Sequence, residues 1–167
     1  MRLVPLIALT MIGALSSAAS AQETACPALP PELAGWASAS PVTAAATAAD
    51  LSRAIVTIGR RADLALSPSA KIVFAVAPSK APAATTSSGM ASFTVATAGT
   101  YRVALGTAAW ITIAKDGAVL QSVAHKHGLG CAGVRKMVDF TLTPGAYVLQ
   151  IEGAPATVSA VLIAQLP

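Results

Sequence analysis

The chain has 167 residues, of which 54% are hydrophobic and only 11% charged, and its 11 basic and 7 acidic side chains give a net charge of +4. The basic residues are dispersed, with adjacent pairs only at Arg60-Arg61 and Arg135-Lys136. Nucleic-acid binding needs a basic stripe interleaved with stacking aromatic residues, so this composition excludes nucleic acid as an expected partner.

Residues 1–21 have the features of a removable export signal. Arg2 supplies a positive charge, residues 3–15 form an apolar run too short to span a bilayer, and Ala19-Ser20-Ala21 has the small-x-small pattern that signal peptidase accepts. Retention as a membrane anchor and lipid attachment at Cys26 are the alternatives. We therefore expect cleavage after Ala21, a periplasmic or secreted protein, and no stable membrane insertion of the mature chain.

The mature chain, residues 22–167, has the size of a single domain. Residues 22–60 are expected to form an N-terminal arm and a first element, and residues 61–167 a β-sandwich. Four prolines in residues 26–41 predict an irregular arm, with Trp36 as its hydrophobic anchor on the sandwich. Residues 44–58 combine an alanine-rich half suited to a short helix with a β-branched half suited to a strand.

From residue 62 onward, short runs of alternating apolar and polar residues are separated by turn residues, which is typical of β-strands. Asp116-Gly117 predicts a tight hairpin because both residues tolerate positive φ, and residues 77–89 predict a surface loop. The pattern predicts an all-β fold, an antiparallel β-sandwich or jelly roll of about eight or nine strands. The predicted strands are residues 62–66, 71–76, 90–95, 101–105, 109–114, 119–124, 136–142, 147–152 and 157–164.

Side chains alternate between the two faces of a strand, so one set from these strands should fill the core. The predicted inward residues are Phe93, Val95, Tyr101, Val103, Leu105, either Trp110 or Ile111, Phe140, Leu142, Tyr147, Leu149 and Ile151.

The chain contains two cysteines, Cys26 and Cys131. An oxidising compartment favours a disulfide between them, which would tie the mature N-terminus to the segment that follows the histidines. The alternative is a free Cys131 thiolate that serves as a metal ligand beside His127.

His125 and His127 are the only histidines, and they are candidate metal ligands. On a strand, residues two apart point to the same side, so the two imidazoles could chelate a copper, zinc or iron ion. Cys131, Asp139 or Glu152 would have to supply the third ligand. The alternative is an exposed loop in which neither imidazole coordinates a metal.

Arg135 and Lys136 follow the histidines closely and allow three interpretations. They could form ion pairs with Asp139 or Glu152, provide contacts to an anionic ligand beside the histidines, or be a solvated strand end. The sequence has no Gly-x-Ser-x-Gly nucleophile motif and no glycine-rich phosphate loop, so no catalytic residue is predicted from these motifs.

Several runs carry a resemblance to a known family: Gly99-Thr-Tyr-Arg-Val-Ala-Leu-Gly, Ala124-His-Lys-His-Gly, Cys131, Arg135-Lys-Met-Val-Asp-Phe and Thr143-Pro-Gly-Ala-Tyr-Val-Leu-Gln-Ile. They resemble a family of small exported bacterial proteins that often bear the label homogentisate 1,2-dioxygenase, over most of the mature chain. The Gly-x-Tyr and Pro-Gly-x-Tyr turns are similar, less closely, to bacterial pre-peptidase C-terminal domains. The first resemblance implies an iron-dependent ring-cleaving oxidoreductase.

Two classes of function follow from the residues and the resemblance. Ring cleavage at non-haem iron uses two histidines and a carboxylate, and residues 128–132 contain no carboxylate. The residues therefore favour a non-catalytic exported module, with an unknown protein, glycan or small-molecule ligand as partner. The alternative is a metal-dependent dioxygenase.

Overall fold

The computed structural model describes residues 26–167, and the predicted export signal lies outside them. Within this part of the chain, no helix is long and apolar enough to cross a bilayer. Eleven strands form here. In chain order they are β1 (Ala39–Thr43), β2 (Arg61–Ala65), β3 (Ser67–Pro68), β4 (Ser87–Val95), β5 (Gly99–Leu105), β6 (Trp110–Lys115), β7 (Ala118–Val119), β8 (Ala124–His127), β9 (Lys136–Leu142), β10 (Gly145–Ala154) and β11 (Val158–Gln165).

The strands build two packed sheets. One has six strands in the order β1-β2-β11-β5-β9-β8, and the other has five in the order β3-β4-β10-β6-β7. Every pairing between these strands is antiparallel except that of β1 with β2. The structure therefore confirms the predicted all-β sandwich, with more strands than the sequence indicated.

The core lies between the sheets and contains all of the predicted inward residues. Phe93 on β4 stacks on Tyr147 on β10, with ring centroids 5.4 Å apart. At the ambiguous pair on β6, Ile111 enters the core with 6% of its surface exposed, whereas Trp110 points outward with 56% exposed. Alternation along the strands thus predicted the core residues correctly, and of the two candidates on β6 the structure buries Ile111 and exposes Trp110.

The N-terminal arm is more regular than predicted. It forms a 3-10 helix, Pro31–Ala37, and then β1, which pairs in parallel with β2. Leu33 and Trp36 of the helix are buried against the outer face of the six-stranded sheet, so the predicted anchoring by Trp36 is confirmed. The predicted irregular arm was wrong for β1, because the edge of β2 offers backbone partners that the sequence alone does not reveal.

An ion-pair network fastens this helix to the sheet. Arg102 on β5 donates from Nε and Nη2 to both carboxylate oxygens of Asp139 on β9, each at 2.8 Å, and from Nη1 to Glu32 of the helix at 2.5 Å. Hydrogen bonding to Asp139 raises the pKa of Arg102, so the guanidinium stays charged although it is buried. Both carboxylates thereby share one cation as their ion-pair partner.

Two predicted segments near the N-terminus differ from the structure. Residues 71–76 are not a strand: a 3-10 helix, Ser69–Lys71, leads into a loop that crosses the outer face of the five-stranded sheet. The backbone N–H and carbonyl of Val76 bond to the side chain of Gln150 instead of a neighbouring strand. Residues 44–58 form only a short 3-10 helix, Ala48–Asp50, and two isolated bridges, at Ala45 and Ile55.

The predicted strand 119–124 is split between the two sheets. The hairpin at Asp116 (φ 51°) and Gly117 (φ 78°) is confirmed, and it returns the chain as β7 beside β6. After two paired residues the chain leaves this sheet, and β8 joins the other sheet beside β9. The split places the two histidines at the free edge of the six-stranded sheet.

Candidate functional site

β8 presents both histidines on one side of the sheet. His125 lies opposite Val138 of β9, and His127 lies opposite Lys136. Because cross-strand partners share a face and Val138 is part of the core, the imidazoles are on the side that faces the second sheet. β8 is an edge strand, so the second sheet does not cover them, and all four of its residues are exposed.

A cleft of about 400 Å³, here called the cationic cleft, opens beside β8. Five of its six lining residues are lysine, arginine or histidine, whose side chains carry a positive charge when protonated, and none is acidic. The lining residues are Ala108, His125, Lys126, His127, Arg135 and Lys136. The structure thus brings together four residues that the sequence singled out and adds Ala108 and Lys126.

Lys136 is the most constrained cation of this cleft. Its ammonium group donates to the carbonyl of Ala109 at 3.1 Å and lies 4.8 Å from the centre of the Trp110 ring. Burial lowers the pKa of Lys136 below the ordinary lysine value. A negative charge placed in the cleft would favour the protonated amine, so the site gains from an anion.

The predicted disulfide between Cys26 and Cys131 is present, with the two Cα atoms 5.7 Å apart. The alternative of a Cys131 thiolate as a metal ligand was therefore wrong, since both sulfurs are used in the bridge. The bridge holds the segment behind β8 against the N-terminal arm. Trp36 adds a second tether by donating from its indole nitrogen to the carbonyl of Ala132 at 3.0 Å.

The other two predicted third ligands also lie apart from the histidines. Asp139 is paired opposite Ala124, on the other face of β9, where Arg102 holds it. Glu152 belongs to β10 in the other sheet. Within residues 26–167, no three His, Cys, Asp or Glu side chains come together as a metal site. The donor set therefore does not fit the ligand triad that iron-dependent ring cleavage uses.

The predicted ion pairs of Arg135 and Lys136 with Asp139 or Glu152 do not form in the described residues. The four ion pairs found there involve Arg53, Arg61 and Arg102, the last of them twice. Arg135 and Lys136 instead keep their charges available to the cationic cleft. The absence of these ion pairs leaves contacts to an anionic ligand and a solvated strand end as the two open interpretations.

The loop that follows β8 is held close to the strand that returns beside it. Gly128 donates its N–H to the carbonyl of Arg135 at 3.2 Å. A Cβ at Gly128 would come within 2.4 Å of the carbonyl oxygen of Val134, so a larger residue would force the two segments apart. Glycine at this position therefore fixes the distance between the histidines and Arg135.

Comparison with known proteins adds no assignment: the chain matches no family model, and no curated protein sequence matches it significantly.

Proposed function

We propose that this protein is an exported, non-catalytic β-sandwich module that binds an anionic ligand in the cationic cleft. The observation that carries the proposal is the lining of the cleft, to which Lys126, Arg135 and Lys136 contribute together with the two histidines and to which no carboxylate contributes. Cationic side chains placed together in a concave surface attract anions and can donate charge-assisted hydrogen bonds to them.

Export is supported by the sequence of residues 1–21 and by the disulfide, because disulfides persist mainly in oxidising compartments. A periplasmic or secreted location follows as part of the proposal. Ring cleavage of homogentisate is not part of it, because the histidines lack a third ligand among the described residues. Iron-reconstituted protein is expected to consume no oxygen above background with homogentisate.

The direct test is calorimetric titration with tricarballylate, a tricarboxylate without a sugar ring. We expect saturable binding that weakens as salt is added, since exposed charges are screened. Arg135→Ala should reduce the affinity by about three- to tenfold through loss of a charge-assisted hydrogen bond. Arg60→Ala, which removes an exposed cation outside the cleft, is the matched control and should have no effect. Absence of binding to the unmodified protein would overturn the proposal.

The pH dependence gives a second test of the same cleft. Protonated imidazole attracts anions, so a contribution of the two histidines to the site should make tricarballylate binding tighter at pH 5.5 than at pH 8. The double variant His125→Gln/His127→Gln should bind with little change over this range. Lys126, Arg135 and Lys136 still line the cleft in this variant, so a residual affinity is expected. An unchanged pH profile in the double variant would exclude the histidines from the site.

A further inference from the structure

A second cleft adjoins the cationic cleft on the outer face of the five-stranded sheet. It has a volume of about 420 Å³ and lies between the loop that follows Ser69–Lys71 and the strands β6 and β10. Lys80, Pro82 and Thr86 line it from the loop, and Trp110 and Glu152 from the strands. Ala108 and Lys136 line both clefts, so the two clefts adjoin each other at these residues.

Glu152 has an incomplete set of hydrogen-bond partners in this second cleft. It is 4% exposed, and its Oε1 accepts a hydrogen bond from Nε2 of Gln150 at 3.0 Å. Its Oε2 is buried and has no partner among the described residues. Buried carboxylate oxygens are normally hydrogen-bonded, because leaving one unpaired is costly. A ligand that donates a hydrogen bond would remove this cost.

The carboxylate is held in place instead of being mobile. Gln150 accepts from the N–H of Val76 at 3.0 Å and donates to the carbonyl of Val76 at 3.2 Å, so its second amide hydrogen is committed to Glu152. The loop that covers the sheet therefore orients Gln150, and Gln150 orients Glu152. The unpaired oxygen is preorganised for a partner.

Trp110 supplies an apolar surface beside this acceptor. It is the cross-strand partner of Glu152, and cross-strand partners stand side by side on one face of the sheet. Its side chain remains largely exposed, and Lys136 lies over the ring. Lys80 and Lys136 make the cleft unfavourable for a cationic ligand. A neutral ring that carries hydroxyl groups can pack on the indole and donate to Glu152, as a sugar does.

We propose that the two adjoining clefts together bind an acidic saccharide, with a uronate carboxylate in the cationic cleft and a hydroxyl of an adjoining sugar bonded to Glu152. This inference rests on the proposed function, because the anion site supplies half of the binding surface. A neutral glycan would leave the cationic side chains without a partner. A small inorganic anion would leave the Glu152 oxygen and the Trp110 surface unused.

The test compares three ligands by calorimetry on the disulfide-intact protein: α-1,4-linked trigalacturonate, the neutral trisaccharide α-1,4-galactotriose, and tricarballylate. Trigalacturonate should bind about tenfold or more tightly than either of the others, because only it uses both clefts. Glu152→Gln and Trp110→Ala should each weaken trigalacturonate binding by about tenfold and leave tricarballylate binding unchanged. Val158→Ala, at an exposed apolar residue that lines neither cleft, is the control.

A fluorescence measurement on the unmodified protein keeps the test independent of variant folding. Trp36 is buried and Trp110 is exposed, so acrylamide should quench mainly Trp110. Trigalacturonate should protect this emission from quenching, and tricarballylate should not. Equal affinities for the two anions, no protection of Trp110, and no effect of Glu152→Gln would overturn the saccharide inference and leave anion binding intact. Failure of both anions to bind would overturn the proposed function itself.

Discussion

The outer faces of the two sheets each bury a carboxylate, and they treat it differently. Asp139 on the six-stranded sheet is 7% exposed and receives two hydrogen bonds from Arg102. Glu152 on the five-stranded sheet is 4% exposed and receives one hydrogen bond, from Gln150, at only one of its oxygens. The first face is complete within the fold, whereas the second lacks a donor that a ligand can supply. The two faces thus differ in whether their buried carboxylate oxygens are hydrogen-bonded within the described residues.

The disulfide belongs to the complete face, and its removal should have the largest effect. Cys26→Ser/Cys131→Ser opens a loop of 105 residues. In the chain-entropy model this loss lowers the free energy of unfolding by about 4–5 kcal/mol. Urea denaturation of the double variant measures the change. Unfolded, unreduced wild-type protein should show no titratable thiol, and detection of two would contradict the bridge.

Removal of the Arg102 guanidinium from the ion-pair network should have the second-largest effect on the outer face of the six-stranded sheet. Arg102→Met leaves Asp139 and Glu32 without their partner in a buried setting, which should destabilise the protein by about 3–5 kcal/mol. Arg53→Met breaks the exposed pair with Asp50 and should cost less than about 1 kcal/mol. Similar decreases in the free energy of unfolding of the two variants would show that the buried network stabilises the protein no more than an exposed ion pair.

The same substitution at two glutamates, Glu152 and Glu32, compares the contribution of each face to stability directly. Glu152→Gln removes a poorly compensated buried charge and should raise the free energy of unfolding by about 1 kcal/mol. Glu32→Gln removes a charge that Arg102 compensates, and it should lower the free energy of unfolding by about 1–3 kcal/mol. Thermal unfolding at neutral pH measures both. A loss of stability in Glu152→Gln would mean that its carboxylate serves the fold.

The smallest effect concerns Lys136, at the junction of the two clefts. Burial lowers the folded-state pKa of Lys136 below the ordinary lysine value of 10.5, so the folded protein binds fewer protons than the unfolded chain between these two pKa values. The contribution of Lys136 to stability therefore increases as pH rises through that window. Lys136→Met should lack this increase, whereas the exposed Lys71→Met should retain it. Denaturation midpoints across the alkaline range decide between these outcomes.

Much of the core was predictable from period-two alternation, and so was strand β9, whose bounds agree with the structure. The same alternation places Glu152 outward beside Ile151, yet it does not reveal that residues 72–86 fold over it. The sequence predicts a strand over residues 71–76 of that segment. Its backbone bonds instead to the side chain of Gln150, which is 74 positions away from Val76. Long-range contacts of this kind have no local signature.

The candidate site was predictable only where it depends on residues that are near one another in the sequence. Spacing aligned His125 with His127, and adjacency suggested Arg135 and Lys136 as anion contacts. Which carboxylates lie near the histidines depended on strand order, and the sheets place Asp139 and Glu152 elsewhere. The disulfide could be predicted from the expected oxidising compartment and the number of cysteines, because two cysteines can pair in only one way.

β8 has a consequence for solubility because it is the last strand of its sheet. An edge strand presents unpaired backbone groups to other molecules and can seed intermolecular sheet growth, which proteins oppose with charged side chains. Lys126 is an exposed cation in the middle of β8 and provides such a charge. Substitutions that empty the cationic cleft of charge would therefore also favour self-association through β8. Charged side chains on β8 and beside it would thus limit pairing between neighbouring copies of the chain as well as line the cationic cleft.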